Sequence, residues 1–370
     1  TLLDARVLSG DSTKYYSGRP RLNYGHGMSN WTLVGFPHFR NCEFRGEFPL
    51  ANIKLQEPDF PGTVQLTAFN PFIPLNADDS GIPAAFFSYS VQNITSEPVE
   101  YTISASIRNP RNNSVNTAVS EDNFSAVYLN SADNQLNDPA YCEITVASDE
   151  TYNTAFQEYW FRGMWYDNIE TYWRNFTTPS LPEPRTYDAP GNNDIASLYV
   201  RKTAQPGETV TFRFVISWSC PYFINTWNPY KVKNESGEEK DVIMQNYYSF
   251  LFPSALDSAR YALAEWDRLF TSTRKFHDAL WDSTLPTEVI DAASAAISVL
   301  KTPTCLRIGK AGDFYGWEGL GEHFGSCEGS CSHVWNYVYS TCFLFPELER
   351  NLRENDYCYN QTQTGAVMFR

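Results

Sequence analysis

The hydrophobic pattern of the first two thirds of the chain has the two-residue period that is typical of β-strands. The clearest case is residues 210–218, where apolar side chains fill the even positions and mostly polar ones the odd positions. Such alternation predicts a strand with one face in a core and the other toward solvent. The turn sequence Gln205-Pro206-Gly207-Glu208 precedes this strand, and we expect it to join residues 197–202 and 210–218 in a β-hairpin.

Short segments of the same kind recur along the amino-terminal part of the chain. Residues 85–91 and 99–107, separated by a short polar stretch, predict a second hairpin. Residues 177–193 are rich in Pro, Asn and Asp and predict a long surface loop. Further strands are predicted at residues 31–36, 63–69 and 141–147. Many short strands joined by polar turns predict an antiparallel β-sandwich over residues 1–245.

The period becomes helical after Pro253. Apolar residues recur at helical spacing over residues 255–280, and the helix is expected to extend through Asp282. Ser254 and Asp257 have the spacing of a capping box, which predicts the start of this helix.

Two more helical segments follow. The second helix is predicted after Pro286 and Thr287 and runs through Leu300. A third is predicted over residues 332–344, and residues 347–354 continue or follow it. Residues 246–370 are therefore expected to be mainly helical.

Composition and charge narrow the functional classes. The formal net charge is −15 and the pI is about 4.8. We expect neither nucleic acid nor an anionic membrane surface as a partner, because nothing here would neutralise phosphates. No apolar run approaches the roughly 20 residues that a transmembrane helix needs. Aromatic residues form 16% of the chain, which suits either a large core or a sugar-binding cleft.

The cysteines and glycosylation sequons leave the compartment open. Eight cysteines in 370 residues are too few for a small disulfide-stapled fold. The chain begins at Thr1 without a charged-then-apolar leader, so we expect a processed, trimmed or fragmentary chain. Sequons occur at Asn30, Asn93, Asn112, Asn123, Asn175, Asn234 and Asn360.

One loop partly matches a calcium-binding pattern. Within residues 70–83, Asn76 and Asp78 stand where the first calcium ligands would be. The pattern then fails, because Phe87 occupies the position of the bidentate glutamate. A proline-pinned turn with Asx-type hydrogen bonds is the better interpretation of this loop.

A second segment offers cysteine and histidine side chains close together. Cys327, Cys331, His323 and His333 span only eleven residues, a spacing that fits a tetrahedral zinc site poorly. A disulfide or two free thiols in a tight loop explains them better, so we expect neither a metal nor a cofactor. A nucleophile within residues 329–333 is disfavoured, because neighbouring residues at a helix start do not face each other.

Glu318 is the strongest candidate for a chemical role. It lies between Trp317 and Gly319, and Tyr315 with Trp317 could supply an apolar wall and a platform for a sugar ring. Gly316 and Gly319 leave the backbone free to place a short acid in a pocket. The alternative is an ordinary exposed loop glutamate, and spacing alone does not decide between the two.

Three blocks of the chain resemble glycoside hydrolase family 116, the family of the non-lysosomal glucosylceramidase and the microbial β-glucosidases. Within the family, the resemblance is closest to the bacterial-type subgroup. The blocks are residues 48–87, which include the 70–83 loop, residues 285–305, and Phe314-Tyr315-Gly316-Trp317-Glu318-Gly319 together with Cys331-Ser332-His333-Val334-Trp335-Asn336-Tyr337 and residues 344–349.

The resemblance implies an amino-terminal antiparallel β-sandwich over residues 1–245, followed over residues 246–370 by the first helices of an (α/α)6 toroid. It also implies that Glu318 is the nucleophile of retaining β-glycoside hydrolysis, acting on a carbohydrate or a glycolipid. Tyr315, Trp317, His333, Trp335 and Asn336 would bind the substrate. His333 stands where the glucosylceramidase branch has an aspartate, which argues against ceramide-linked glucose.

The family's acid/base aspartate is expected beyond Arg370. A twelve-helix ring needs roughly 200 residues or more, and residues 246–370 hold only the first part of one. The chain is thus expected to be truncated and inactive by itself. The alternative function is a non-catalytic carbohydrate-binding or scaffold protein of the same family.

Overall fold

The structure is a computed structural model that describes residues 1–10, 35–165, 167–224, 231–320, 325–326 and 338–367. Its amino-terminal part is mostly antiparallel β-sheet. A short parallel pair, β1 (Val7–Gly10) and β2 (His38–Phe39), lies at the start of the chain.

The larger sheet has eight antiparallel strands in the order β3-β4-β5-β6-β13-β10-β9-β8. These are β3 (Asn41–Glu47), β4 (Leu50–Gln56), β5 (Gly62–Phe69), β6 (Ala84–Asn93), β8 (Ser114–Glu121), β9 (Phe124–Ser131), β10 (Glu143–Ser148) and β13 (Thr209–Ser219). The strands predicted at residues 63–69, 85–91, 141–147 and 210–218 are confirmed within one or two residues.

The smaller sheet covers one face of the larger one. It is built in the order β11-β12-β7 from β7 (Val99–Arg108), β11 (Thr154–Gln157) and β12 (Ile195–Ala204). The core between the two sheets joins apolar residues of both, such as Ile103 and Leu198 from the smaller sheet and Phe212 and Phe214 from β13. The predicted β-sandwich is therefore present.

Both predicted hairpins are wrong in their pairing, although their strands exist. β6 pairs with β5 and β13, whereas β7 pairs with β12 in the other sheet. In the same way the turn after β12 leads to β13 in the opposite sheet. A short polar turn between two alternating strands fits a hairpin and an arch between sheets equally well, and burial of the inner faces selects the arch.

The two arches meet at Asn93, whose side chain is fully buried. Its Nδ2 donates to the carbonyl oxygens of Glu97, at 2.8 Å, and Ala204, at 3.0 Å. Its Oδ1 accepts from the backbone N–H and the hydroxyl of Thr95. The Asn93 sequon is therefore closed to glycosylation in the folded chain, since both amide hydrogens are used internally.

The other face of the larger sheet is buried by a helix. Helix α4 (Ala255–Ala264) packs on this face through small side chains, including Ala259 and Ala262, against Val215 and Ala126. Val215 lies on the face of β13 that alternation assigns to solvent, so the expectation of a half-buried strand is wrong here. Ser217, on the same face, donates a 2.6 Å hydrogen bond to the carbonyl oxygen of Ala255.

The predicted capping box is confirmed at the start of α4. Ser254 Oγ accepts from the backbone N–H of Asp257 at 3.1 Å and donates to its carboxylate at 2.7 Å. The buried carboxylate of Glu143 in β10 accepts from the backbone N–H of Ala255 at 3.1 Å. A negative charge at this position also suits the helix dipole, so the sheet helps to cap the helix that covers it.

The single helix expected over residues 255–282 is divided at Glu265, where the backbone leaves helical geometry. Trp266, which is buried between Phe69 and Phe86, begins the second piece. Both pieces bury apolar side chains in the same core. The helices of the described residues are α1 (Ala77–Ser80), α2 (Asp167–Phe176), α3 (Tyr248–Leu251), α4, α5 (Trp266–Trp281), α6 (Thr287–Ile297), α7 (Val338–Leu344) and α8 (Pro346–Cys358).

The remaining predictions have mixed outcomes. Residues 177–193 contain no regular helix or strand, as expected for a loop. Helix α2 was not anticipated by the β pattern around it. Of the strand predicted at 31–36 only residues 35 and 36 are described, and they lie in a turn; residues 332–337 of the third helix also lie outside the described residues. The domain boundary at residue 245 and the helical toroid stay predictions.

Short two-stranded sheets complete the chain. They pair β14 (Tyr222–Ile224) with β17 (Ile243–Gln245), β15 (Lys231–Lys233) with β16 (Glu239–Asp241), β18 (Cys305–Ile308) with β19 (Asp313–Gly316), and β20 (Gly319–Leu320) with β21 (Gly325–Ser326).

We predict that Asn93→Asp destabilises the sandwich strongly. The substitution turns an amide donor into a buried carboxylate oxygen that faces two carbonyl oxygens, which costs about 3 kcal/mol or more. The free energy of unfolding from urea titration measures this loss. Asn112→Asp, the same change at an exposed sequon, is the matched control. Equal losses in the two variants would contradict the role given to Asn93.

Candidate active-site hairpin

Glu318 lies at the end of the β18–β19 hairpin. The two strands pair from Cys305 with Gly316 to Ile308 with Asp313. The turn between them has positive φ angles at Gly309, 66°, and Gly312, 76°, where glycine is favoured. A side chain at Gly312 would also stand 3.0 Å from the Tyr247 ring. The turn is thus tightly fitted against the segment that leads from the sandwich to the helices.

Helix α8 holds the outer strand of this hairpin in place. Phe314 is buried against Leu352 of the helix. The backbone N–H of Phe314 donates to Asn351 Oδ1 at 2.6 Å, and its carbonyl oxygen accepts from Asn355 Nδ2 at 3.2 Å. Side-chain amides therefore satisfy backbone groups on the edge of β19 that a third strand would otherwise use.

The pairing continues for one residue beyond the hairpin. The backbone N–H of Trp317 donates to the carbonyl oxygen of Thr304 at 2.8 Å. Gly319 then begins β20, which pairs with β21. Glu318 is consequently the single residue between Trp317, whose backbone is hydrogen-bonded, and the β20–β21 strand pair. Hydrogen-bonded backbone on both sides therefore fixes where the backbone of Glu318 lies.

The side chains around Glu318 differ in burial. Glu318 is exposed, whereas Trp317 and Tyr315 are half-buried. Burial, followed by the negative charge of Asp313, raises the pKa of Tyr315 above its ordinary value, so Tyr315 is a neutral hydroxyl at physiological pH. An exposed carboxylate beside two half-buried aromatic rings is compatible both with a sugar-binding acid and with an ordinary loop glutamate.

The other proposed site residues lie outside the described residues. These are His333, Trp335 and Asn336 of the substrate set, and Cys327, Cys331 and His323 of the zinc alternative. Among the residues that the structure describes, no three His, Cys, Asp or Glu side chains are grouped as a metal site requires. Of the proposed site residues, the structure describes Tyr315, Trp317 and Glu318, and the roles of all six stay predictions.

The 70–83 loop contacts the base of the hairpin. Arg307 of β18 forms a 2.7 Å ion pair with Asp78, and its guanidinium lies over the Tyr247 ring at 3.9 Å. Of these residues only Asp78 lies in one of the three sequence blocks, and Arg307 and Tyr247 lie outside them. Their contact could not be read from the chain, since the 70–83 loop and β18 are more than 200 positions apart in the sequence.

Lys301 makes a second contact with the same loop, also missed by sequence reasoning. It ends a short 3₁₀-helix, Ser298–Lys301, and its Nζ donates to the carbonyl oxygens of Pro71, at 3.2 Å, and Ser80. Burial lowers the pKa of Lys301 to about 7. The side chain of Lys301 therefore links the loop to the segment that leads into the hairpin, and it changes its charge near neutral pH.

The loop itself adopts the Asx-type turn that its sequence favours. Asn76 Oδ1 accepts from the backbone N–H of Asp79 at 3.1 Å, which caps α1. The Asp79 carboxylate accepts from Arg268, Tyr261 and Asn76. Of the two candidate calcium ligands, Asn76 thus accepts the capping hydrogen bond of α1, and Asp78 forms the ion pair with Arg307.

Most of the chain matches a known protein family. Residues 3–269 match the family described as beta-glucosidase 2, glycosyl-hydrolase family 116 N-term. The chain therefore belongs to glycosyl-hydrolase family 116. The match ends before Glu318, so the hairpin site lies outside the matched residues. No curated protein matches the chain.

Three solved structures are similar to part of the chain. A putative kojibiose phosphorylase from human microbiome is 10% identical with a TM-score of 0.33, over 66% of this chain and 26% of that one. Heparan sulfate lyase HepC from Pedobacter heparinus is 12% identical with a TM-score of 0.27, over 56% and 28%. A galactose mutarotase related enzyme from Lactobacillus acidophilus is 9% identical with a TM-score of 0.25, over 48% and 71%. The chain thus spans about a quarter of the first two structures.

None of the helices in the described part of the chain is both long enough and apolar enough to cross a membrane.

We predict that Lys301 makes stability depend on pH. Its pKa of about 7 lies below the ordinary 10.5, so between these values the folded state binds fewer protons than the unfolded state. The free energy of unfolding of the wild type should therefore rise with pH relative to Lys301→Met, by at most about 1.4 kcal/mol per pH unit. Below about pH 6 the difference between the two proteins should be constant.

Urea titrations of both proteins at a series of pH values measure this difference, and residues that titrate in both cancel in it. A difference that stays flat or falls as the pH rises from about 7 to 9.5 would contradict the assignment.

Proposed function

We propose that the chain is part of a retaining β-glycosidase that hydrolyses a β-linked glycoside or a glucosylated lipid. Membership of glycosyl-hydrolase family 116 over residues 3–269 is the observation that carries this proposal. The segment that contains Glu318 resembles the family segment that holds the nucleophile, and this resemblance is the basis for proposing Glu318 in that role. The helices of residues 246–370 would then be early members of a helical toroid that completes the site.

Glu318 would act as the nucleophile. Its carboxylate attacks the anomeric carbon while a second carboxylic acid protonates the leaving oxygen, and a glycosyl-enzyme ester forms on Glu318. Water then attacks the same carbon, with the second residue acting as the base, and releases the sugar with its original configuration. Retaining enzymes hold the two carboxyl groups about 5–5.5 Å apart, which is the separation expected between Glu318 and its partner.

The local geometry supports this role in two ways. First, Glu318 is exposed and can be reached by a substrate. Second, its backbone is fixed by the hydrogen bond of Trp317 to Thr304 and by the packing of Phe314 on α8. A nucleophile must be held near its reactive geometry, and a paired strand restricts it better than a free loop does.

The sugar would lie against the aromatic side chains next to Glu318. Tyr315 and Trp317 offer half-buried rings on either side of Gly316, and the apolar face of a pyranose can stack on such rings. We propose that His333, Trp335 and Asn336 complete the pocket and make polar contacts with the sugar hydroxyls. No cofactor is needed, since two carboxyl groups and water supply the whole reaction.

We predict that a 2-deoxy-2-fluoro-β-glucoside with an activated leaving group labels Glu318 in the full-length protein. The fluorine slows both formation and hydrolysis of the ester, and the activated leaving group accelerates only its formation, so the ester accumulates. Peptide mass spectrometry then locates the added sugar. Glu318→Gln should lower hydrolysis of aryl β-glucosides by on the order of 10³-fold or more, as loss of a catalytic nucleophile does.

Azide separates a nucleophile from a residue that only binds the sugar. In Glu318→Ala, azide can enter the vacated space and give a glycosyl azide of inverted configuration. Glu354→Gln, at an exposed position of α8, is the matched control and should keep normal activity. A label on another residue, or full activity of Glu318→Gln, would refute the assignment. Sugar binding that survives Glu318→Gln, with no turnover in any form of the protein, would favour the non-catalytic alternative.

A further inference from the structure

Two cysteines face each other at one end of the larger sheet. β10 and β13 are antiparallel, and their register pairs Glu143 with Ser219. The next pair in this register is Cys142 and Cys220, which are 78 positions apart in the chain. Directly opposed residues of antiparallel strands have Cα atoms about 4.5–5.5 Å apart, within the 4.4–6.8 Å range that a disulfide requires.

The two sulfur atoms are already close. Cys220 Sγ lies 2.7 Å from Cys142 Sγ, and both residues are free thiols in this structure. A disulfide bond is about 2.05 Å long, so less than about 1 Å separates the thiol pair from the bonded geometry. Both residues are half-buried.

The geometry points to a redox modification site: we propose that Cys142 and Cys220 form a reversible disulfide by exchange with small-molecule disulfides such as oxidised glutathione. This proposal is independent of the glycosidase function, since it concerns the sandwich and not the hairpin that carries Glu318.

The environment distinguishes the roles of the two thiols. The hydrogen bond from the Cys220 thiol lowers the pKa of Cys142, and the charge of Arg111 adds to this effect. Donating that bond, together with burial, raises the pKa of Cys220. Cys142 is therefore the attacking sulfur, because the thiolate and not the thiol is the nucleophile.

The exchange takes place in two balanced steps. The Cys142 thiolate attacks one sulfur of the small disulfide, forms a mixed disulfide and displaces one small thiolate. Cys220 then loses its proton to water and attacks Cys142 Sγ, which displaces the second small thiolate. Two protein thiols are oxidised, the small disulfide is reduced to two thiols, and no other oxidant is needed.

The disulfide would join two segments that are already anchored beside it. The backbone N–H of Cys220 donates to the Tyr248 hydroxyl at 2.8 Å, and its carbonyl oxygen accepts from Asn246 Nδ2 at 3.0 Å. The carbonyl oxygen of Cys142 accepts from Asn134 Nδ2 at 2.9 Å. The covalent link would thus fix the end of β13 at the point where the chain leaves the sandwich toward α3 and α4.

The test compares the full-length protein in reduced glutathione with the same protein in oxidised glutathione. After oxidation, most molecules should contain a crosslink between the tryptic peptides 112–162 and 214–231, each of which holds one cysteine. The crosslinked form should lose two hydrogens in mass, and dithiothreitol should restore both thiols. The Tm of the oxidised form should be higher by roughly 5–15 °C, because the link restricts the unfolded chain.

Single variants separate this site from general cysteine oxidation. Cys142→Ser and Cys220→Ser should abolish both the crosslink and the Tm difference, whereas Cys42→Ser, at an exposed cysteine on β3, should keep both. Absence of the 142–220 crosslink in oxidised glutathione would overturn the proposal. So would crosslinking of either cysteine to other cysteines as often as to its neighbour.

Discussion

The contacts of the 70–83 loop determine how the helices sit on the sandwich. Asp79 is buried and accepts hydrogen bonds from Arg268 of α5, at 2.6 Å, and from the Tyr261 hydroxyl of α4, at 2.6 Å. Burial disfavours the charged carboxylate, but these hydrogen bonds outweigh it and hold the pKa of Asp79 below its ordinary value. Removing the partners of a buried carboxylate is strongly destabilising. The hydrogen bonds of Asp79 with Arg268 and Tyr261 therefore restrict α4, α5 and the loop to one arrangement.

Apolar contacts of the same loop extend this constraint to the later helices. The Phe72 ring lies 4.9 Å from Phe276 of α5 and 5.3 Å from Phe345, which precedes α8, measured between ring centroids. Leu75 has a φ of 67°, which costs about 1–2 kcal/mol for a residue with a side chain, and its backbone N–H donates to the Leu344 carbonyl oxygen at 2.7 Å. The loop keeps this unfavourable conformation because the contacts on both sides of it are satisfied only there.

Local patterns in the sequence were sufficient for the elements, and insufficient for their pairing. Alternation located β13 and spacing located the cap at Ser254, because both depend on neighbours in the chain. The arches at Asn93 and the burial of Val215 depend on a sheet and a helix that are distant in sequence, and no local rule describes them. The candidate site shows the same division: the sequence motif proposes Trp317 and Glu318, which stay predictions, whereas no motif predicts the contact of Lys301 with the 70–83 loop.

These constraints bear on Glu318 through a continuous set of contacts. The 70–83 loop holds Lys301 and Arg307 on either side of Cys305, the first residue of the hairpin. Phe314 of the hairpin packs against α8. The backbone N–H of Trp317, the residue before Glu318, donates to the carbonyl oxygen of Thr304. A change at Asp79 should therefore move Glu318 without touching the substrate. Under the nucleophile role that we propose for Glu318, such a displacement should lower the rate of glycosyl-enzyme formation more than it weakens sugar binding.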